Sequence, residues 1–250
     1  MTTEQRTVQS FDGTQLECSL VRVHSHEAST LTLLLPAHPL LGGSISQLQP
    51  LAHSLARSFS DVAMLAYRGT GGRSSGYLPP VTASETLAKD VSSACFALKH
   101  QFNKERVLVI GYSFGAAVVS RSLCLNSEYS LARVVHSVTL LATPYGSYST
   151  VSLPLGPLCA ALMRSFVDSI LELEWQQQLS IPILLLFPSH DAITPPREVE
   201  SLKATIRNSS SNEKSNNRHL AVDSMTDGEH FDAVAHDNEI LRMMRKHSLL

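Results

Sequence analysis

The stretch Val107-Leu108-Val109-Ile110-Gly111-Tyr112-Ser113-Phe114-Gly115-Ala116-Ala117 carries the strongest chemical signal in the sequence. A buried strand that runs straight into Gly-x-Ser-x-Gly, with small residues of helical character after it, is a strand–turn–helix nucleophile elbow. The turn is so sharp that side chains two residues either side of the serine would collide, which accounts for Gly111 and Gly115. Ala116 and Ala117 let the next helix approach the sheet, and the turn lifts the Ser113 hydroxyl out of the sheet's carboxyl end. The N-terminus of that helix leaves the Phe114 N–H unpaired and aimed at incoming negative charge. The bland alternative is an ordinary strand-to-helix turn.

A serine hydroxyl is a weak nucleophile without a base, so a histidine and an orienting carboxylate are required. In elbow proteins they follow in the order serine, acid, histidine. Asp191, in Pro188-Ser189-His190-Asp191-Ala192-Ile193-Thr194-Pro195-Pro196, leaves an apolar strand at the same carboxyl-end edge and is the candidate acid. Its plain alternative is a loop-turning or helix-capping aspartate. Among the later histidines, His219 begins a strand, and His236 and His247 fall in the expected last helix. His230, after Asp227-Gly228-Glu229 in the loop between last strand and last helix, is the candidate base. Asp223, Asp227 and Asp232 are rival carboxylates, and His190 is a rival histidine that precedes the acid.

A second oxyanion donor is expected from Pro36-Ala37-His38-Pro39-Leu40-Leu41-Gly42-Gly43-Ser44. Pro39 has no N–H, so the Leu40 N–H is the candidate, and His38 is read as a brace of this loop rather than a base. Tyr67, Tyr112 and Tyr145, with Leu40 and Phe114, are expected on loop position alone to line a modestly apolar acyl pocket.

These groups must be positioned by elements that the sequence also marks. Residues 7–23 read as two strands around the turn at Asp12-Gly13. Apolar runs at 30–35, 62–67, 105–112, 134–141, 182–187 and 219–222 read as further strands, the continuous ones covered on both faces. Leu87, Val91, Ala94, Cys95 and Leu98 follow helical spacing within 84–100, and Leu51, Leu55 and Phe59 do so after Pro50. Residues 231–247 read as a closing helix with Arg245, Lys246 and His247 in its last turn. The Ser- and Asn-rich 207–218 read as an exposed loop. The expectation is an α/β chain, one domain over residues 1–250, with a mostly parallel sheet flanked by helices.

With these motifs in view, the chain resembles an α/β-hydrolase, and within that superfamily the compact, lid-poor predicted hydrolases with a His-Pro-Leu-x-Gly-Gly loop. It is also similar to the dienelactone-hydrolase and serine-aminopeptidase-like groups. His38 to Gly43 fits the oxyanion loop, and Tyr67-Arg68-Gly69-Thr70-Gly71 fits the Arg-Gly-x-Gly turn. Gly111 to Gly115 fits the elbow, Asp191 to Pro195 fits Asp-x-x-x-Pro, and Gly228-Glu229-His230-Phe231 fits the histidine loop. The resemblance implies a serine hydrolase of an ester or related acyl bond, with no cofactor and no metal. Two departures stand out. Gly72 and Arg73 intervene before Ser74, lengthening the Arg-Gly-x-Gly turn by one residue. The segment 143–178, where relatives insert a lid, has room for one or two helices (157–175 the clearest), so minimal or no cap is expected. The fold also hosts non-catalytic binding or regulatory modules, which remain the alternative.

Composition narrows the partners. The 250 residues carry 20 Lys plus Arg against 22 Asp plus Glu, so an excess of positive charge for nucleic acid or anionic membrane is missing. Apolar runs fall short of the ~20 residues a bilayer-spanning helix needs. The polar first ten residues lack a secretory core, and Cys18, Cys95, Cys124 and Cys159 read as free thiols in a reducing compartment. A cytoplasmic location and a small-molecule acyl substrate are the expectations. Gly69-Thr70-Gly71 lacks the third glycine of a dinucleotide loop, since Ser74 stands there. His24 and His26 lack further ligands at metal-binding spacing.

Overall fold

The computed structural model describes residues 1–22, 28–39, 42–79, 84–125, 128–145, 180–210, 219–230 and 232–250. Strands β1 (Thr2–Gln9) and β2 (Gln15–Arg22) form an antiparallel hairpin in the register Thr2↔Arg22 to Gln9↔Gln15. Gly13 takes the left-handed backbone (φ +86°) that closes its turn. β1 starts five residues before the expected position. It is an edge strand with only Val8 buried, so it carries no apolar run to announce it.

Strands β3 (Thr30–Leu35), β4 (Asp61–Leu65), β5 (Arg106–Tyr112), β6 (Ser137–Leu141), β7 (Ile183–Phe187) and β8 (Leu220–Ser224) complete one eight-stranded sheet. Its order is β1-β2-β4-β3-β5-β6-β7-β8; β2 runs antiparallel to β4, and β3 to β8 are mutually parallel. Period-two alternation splits the core between two faces. Leu31, Leu33, Leu35, Val107, Val109, Ile183 and Leu185 pack on one side with α2 (Ser84–Gln101), α3 (Phe114–Leu123) and α4 (Pro196–Ser210). Leu34, Leu108, Ile110, Tyr112, Leu184 and Leu186 pack on the other with α1 (Gln49–Ser58) and α5 (Asp237–Lys246). Leu87, Val91, Ala94, Cys95 and Leu98 of α2 are all buried, as their spacing requires. Each fully buried leucine contributes about 2 kcal/mol of apolar transfer, which explains why the central strands need apolar residues on both faces.

Three local readings need correction. Residues 207–210 belong to α4 rather than to a loop. Their Ser and Asn content is poor for helix, but propagation from a segment anchored by buried Val199 and Leu202 carries the helix through them. Residues 211–218 of that expected loop lie outside the described residues. The closing helix is not continuous. A short 3-10 turn, Ala233–Ala235, is followed by α5, and His236 (φ −89°, ψ 46°) caps α5 instead of lying inside it. Asp237 and Glu239 in the first turn favour a fresh start there, and the Ser54 hydroxyl donates to Asp237, fixing α5 against α1. The run at 134–141 is strand only from Ser137; Val134 and Val135 are buried as a loop after a 3-10 turn at Leu131–Arg133. The helix expected at 157–175, His24, His26 and Cys159 also lie outside the described residues. No helix among the described residues is long and apolar enough to cross a membrane.

Candidate active site

The central parallel strands present their carboxyl ends at one rim, and β5 delivers Ser113 there. Ser113 has φ 53° and ψ −114° between β5 and α3. Such a backbone costs a non-glycine residue about 1–3 kcal/mol and persists only where its surroundings enforce it. Here β3 and β6 clamp β5 on both sides (Leu35↔Gly111, Tyr112↔Leu141), and the Ser113 N–H donates to the Leu141 carbonyl at 2.9 Å. A Cβ on Gly111 would lie 2.6 Å from the Gly115 carbonyl oxygen. One on Gly115 would lie 2.7 Å from that of Leu35 and 2.8 Å from that of Pro36. Both glycines are therefore required by close backbone approach.

Asp191 lies in the loop after β7. Its Oδ1 accepts the N–H groups of Ile193 (2.8 Å) and Thr194 (2.9 Å), an aspartate-centred turn. The Thr194 hydroxyl donates to the Thr143 carbonyl and accepts the Tyr145 N–H, both at 2.9 Å, which seats the acid loop on the segment after β6. His230 lies in the loop after β8. Its Nε2 is 2.8 Å from Ser113 Oγ, and its Nδ1 is 2.9 and 3.0 Å from the two Asp191 oxygens. The His190 N–H donates to the Gly228 carbonyl at 3.0 Å, joining the acid and histidine loops. Ser113, Asp191 and His230 are 6%, 2% and 2% exposed. A buried carboxylate is costly unless hydrogen-bonded, and this one is met by two backbone donors and the imidazole.

The rivals are engaged elsewhere. Asp223 pairs with Lys246 (2.6 Å) and His247 (3.1 Å). Asp227 accepts the Gly228 N–H, and Asp232 accepts the Glu229 N–H. His190 is exposed.

Phe114 opens α3, so its N–H has no intrahelical acceptor. Its ring meets those of His38 (4.6 Å between centroids) and Tyr67 (5.5 Å) edge-on. His38 is half-buried, and burial lowers its pKa below 6.5. Its carbonyl accepts the Gly43 N–H at 3.1 Å; a Cβ on Gly43 would lie 2.0 Å from the Ala37 carbonyl oxygen. Leu40, the expected second donor, lies outside the described residues, as does Phe231.

The tyrosines do not offer open surface. Tyr67 is buried with its hydroxyl on the Pro36 carbonyl (2.7 Å), and Tyr145 is buried with its N–H on Thr194. Tyr112 is fully buried, its hydroxyl on the His230 carbonyl at 2.6 Å. The expectation that Tyr112 lines a pocket is corrected: strand alternation turns it into the core face opposite α3. A groove of about 720 Å³ between residues 9–11, α2 and residues 128–134 contains none of these groups.

Arg68, part of the Arg-Gly-x-Gly turn, is a buried tie that motif reading alone did not explain. It grips Asp90 through Nε (2.7 Å) and Nη2 (2.5 Å), reaches Asp12 at 2.9 Å, and shares Asp90 with the Ser10 hydroxyl. The longer turn after it is used in full. Ser74 and Ser75 hydroxyls accept the N–H groups of Glu17 and Gln15, locking the turn to β2. Thr194 was likewise missed, although its spacing of three from Asp191 carries the turn signal. Among the described residues, no group of three His, Cys, Asp or Glu could hold a metal ion.

No protein-family model matches the chain, and no curated protein matches it. Solved structures do. An alpha-beta serine hydrolase homologue from Coxiella burnetii superposes with a TM-score of 0.65 at 20% identity, covering 98% of each chain. An a/b serine hydrolase without lid from Xanthomonas campestris gives 0.67 at 15% identity, over 98% of this chain and 95% of that one. An esterase from Pyrococcus furiosus gives 0.61 at 16% identity, over 98% and 90%. The chain has the α/β-hydrolase fold.

Proposed function

We propose that the protein is a serine hydrolase that cleaves a carboxylic ester or a related acyl bond of a small molecule. The observation that carries this reading is the unbroken hydrogen-bond chain from Ser113 Oγ through the His230 ring to the Asp191 carboxylate. Nδ1 facing a carboxylate assigns the proton to Nδ1, so that the Nε2 lone pair accepts from the Ser113 hydroxyl.

Ser113 Oγ attacks the acyl carbon as its proton passes to His230 Nε2. Asp191 holds the ring and stabilises the imidazolium. The Phe114 N–H, with the Leu40 N–H as its proposed companion, receives the oxyanion. His230 then returns the proton to the leaving oxygen, and an acyl-Ser113 ester remains. Water gives a proton to Nε2 and attacks this ester, releasing the acid and restoring the serine. Structures similar in fold include an esterase and serine hydrolases, which supports this reading.

The test is labelling of the folded protein with a fluorophosphonate, together with turnover of p-nitrophenyl esters, thioesters and aminoacyl amides. Stoichiometric modification at Ser113 and turnover of one of these classes are expected. Absence of labelling on folded protein would assign the fold to a binding or regulatory module instead.

A further inference from the structure

We propose that Tyr112 is a positioning residue that ties the nucleophile's strand to the backbone of the histidine loop, so that the elbow itself sets where the His230 ring stands. The inference rests on the hydrolase reading above. Tyr112 immediately precedes Ser113 at the end of β5, and its hydroxyl donates to the His230 main-chain carbonyl at 2.6 Å across 117 intervening positions. The His230 side chain is held at its far end by Ser113 and Asp191, but those two bonds fix the ring and not the chain that carries it. The Tyr112 bond fixes that chain. Its donor sits one residue from the nucleophile, so a displacement of the elbow carries serine and histidine together.

The tie has no slack. Tyr112 is fully buried, in the same core cluster as Leu141, Leu186 and Ala233, and strand pairing of Tyr112 with Leu141 fixes its backbone. Burial, then the nearby Asp191 and Asp232 carboxylates, raise its pKa, so the phenol keeps its proton and remains a donor around neutral pH. Tyr67 is the natural contrast: also buried and also donating to a backbone carbonyl, but to Pro36 at the proposed oxyanion loop.

The experiment compares Tyr112→Phe, Tyr67→Phe and a protein carrying 3-fluorotyrosine at position 112, which keeps the hydroxyl. Two readouts are used: the low-field proton resonance of His230 Nδ1–H, and kcat and KM on the best ester found. In Y112F the resonance is expected to exchange with water much faster or broaden away. Its kcat should fall about tenfold with KM within about twofold, short of the roughly hundredfold that a 1 Å misplacement of reacting groups can cost. In Y67F the resonance is expected to persist, and 3-fluorotyrosine is expected to retain it. An unchanged resonance and kcat in Y112F would overturn the proposal, as would equal broadening in Y67F or loss of the resonance with 3-fluorotyrosine. If the resonance depends on Tyr112 but the parent is not labelled by a fluorophosphonate, the tie stands and the hydrolase reading falls.

Discussion

Asp191 meets His230 with both carboxylate oxygens, 2.9 and 3.0 Å from Nδ1, while its Oδ1 also accepts two backbone N–H groups of its own loop. The carboxylate is therefore clamped from behind by residues 193 and 194 and cannot turn away from the imidazole. In Asp191→Asn the amide oxygen should stay with the two backbone donors and turn its NH2 toward His230. The ring would then carry its proton on Nε2, the wrong nitrogen for accepting from Ser113. A fall in kcat of about 10⁴ is expected, as for the same change in a serine protease triad. Steady-state kinetics with the best substrate would check it; a loss below tenfold would contradict the assigned role.

Removal of the proposed nucleophile should be more severe. Ser113→Ala is expected to lower turnover on the order of 10⁶ and to abolish fluorophosphonate labelling. Retention of ester turnover within about tenfold of the parent would end the nucleophile assignment, given the scale of such losses in other triads.

Gly115 is held against the Leu35 and Pro36 carbonyl oxygens, where a Cβ would stand at 2.7 and 2.8 Å. Gly115→Ala should destabilise the fold by about 1–3 kcal/mol, because backbone cannot yield as a flexible side chain can. The urea midpoint reads this directly. An unchanged midpoint would mean that the elbow is looser than these contacts require.

Arg68 lowers the pKa of Asp12 from its ordinary 3.8 to about 2 through a side-chain hydrogen bond. A carboxylate whose folded pKa is depressed stabilises the fold above its unfolded value and loses that contribution as pH falls through the folded value. Stability of the parent should therefore decline between pH 3.8 and about 2 in part through Asp12. Asp12→Asn keeps an acceptor for the Thr14 N–H and should flatten this part of the profile, measured as urea midpoint against pH. An identical acid slope in parent and variant would refute the contribution.

Burial raises the Cys18 pKa to about 12 and moves that of Cys95 in the same direction, so neither forms thiolate readily in the folded state. Iodoacetamide at pH 8 should leave both unmodified in native protein and alkylate both after unfolding, as mass spectrometry would show. Native modification at either position would contradict their burial.

The amino-acid string carried the elements whose signals are local. Continuous apolar runs announce strands covered on both faces, the 3.6-residue spacing of Leu87 to Leu98 announces α2, and Gly-x-Ser-x-Gly announces a turn that sterics alone demand. Position relative to those strands singled out Asp191 and His230 from several carboxylates and histidines, and the fold sets both within hydrogen-bond reach of one chain that begins at Ser113. It was not enough for Tyr112, because loop proximity does not say to which face a side chain points. β1 has too few apolar residues to stand out, and the break at His236 depends on how α5 docks against α1.

Periodicity and turn chemistry depend on neighbours a few residues apart, so a linear reading can find them. The contacts that assemble the site join residues 117 and 39 positions apart. Those meet only because the strand order brings the carboxyl ends of β5, β7 and β8 to one rim, and that order is fixed by packing across the whole sheet.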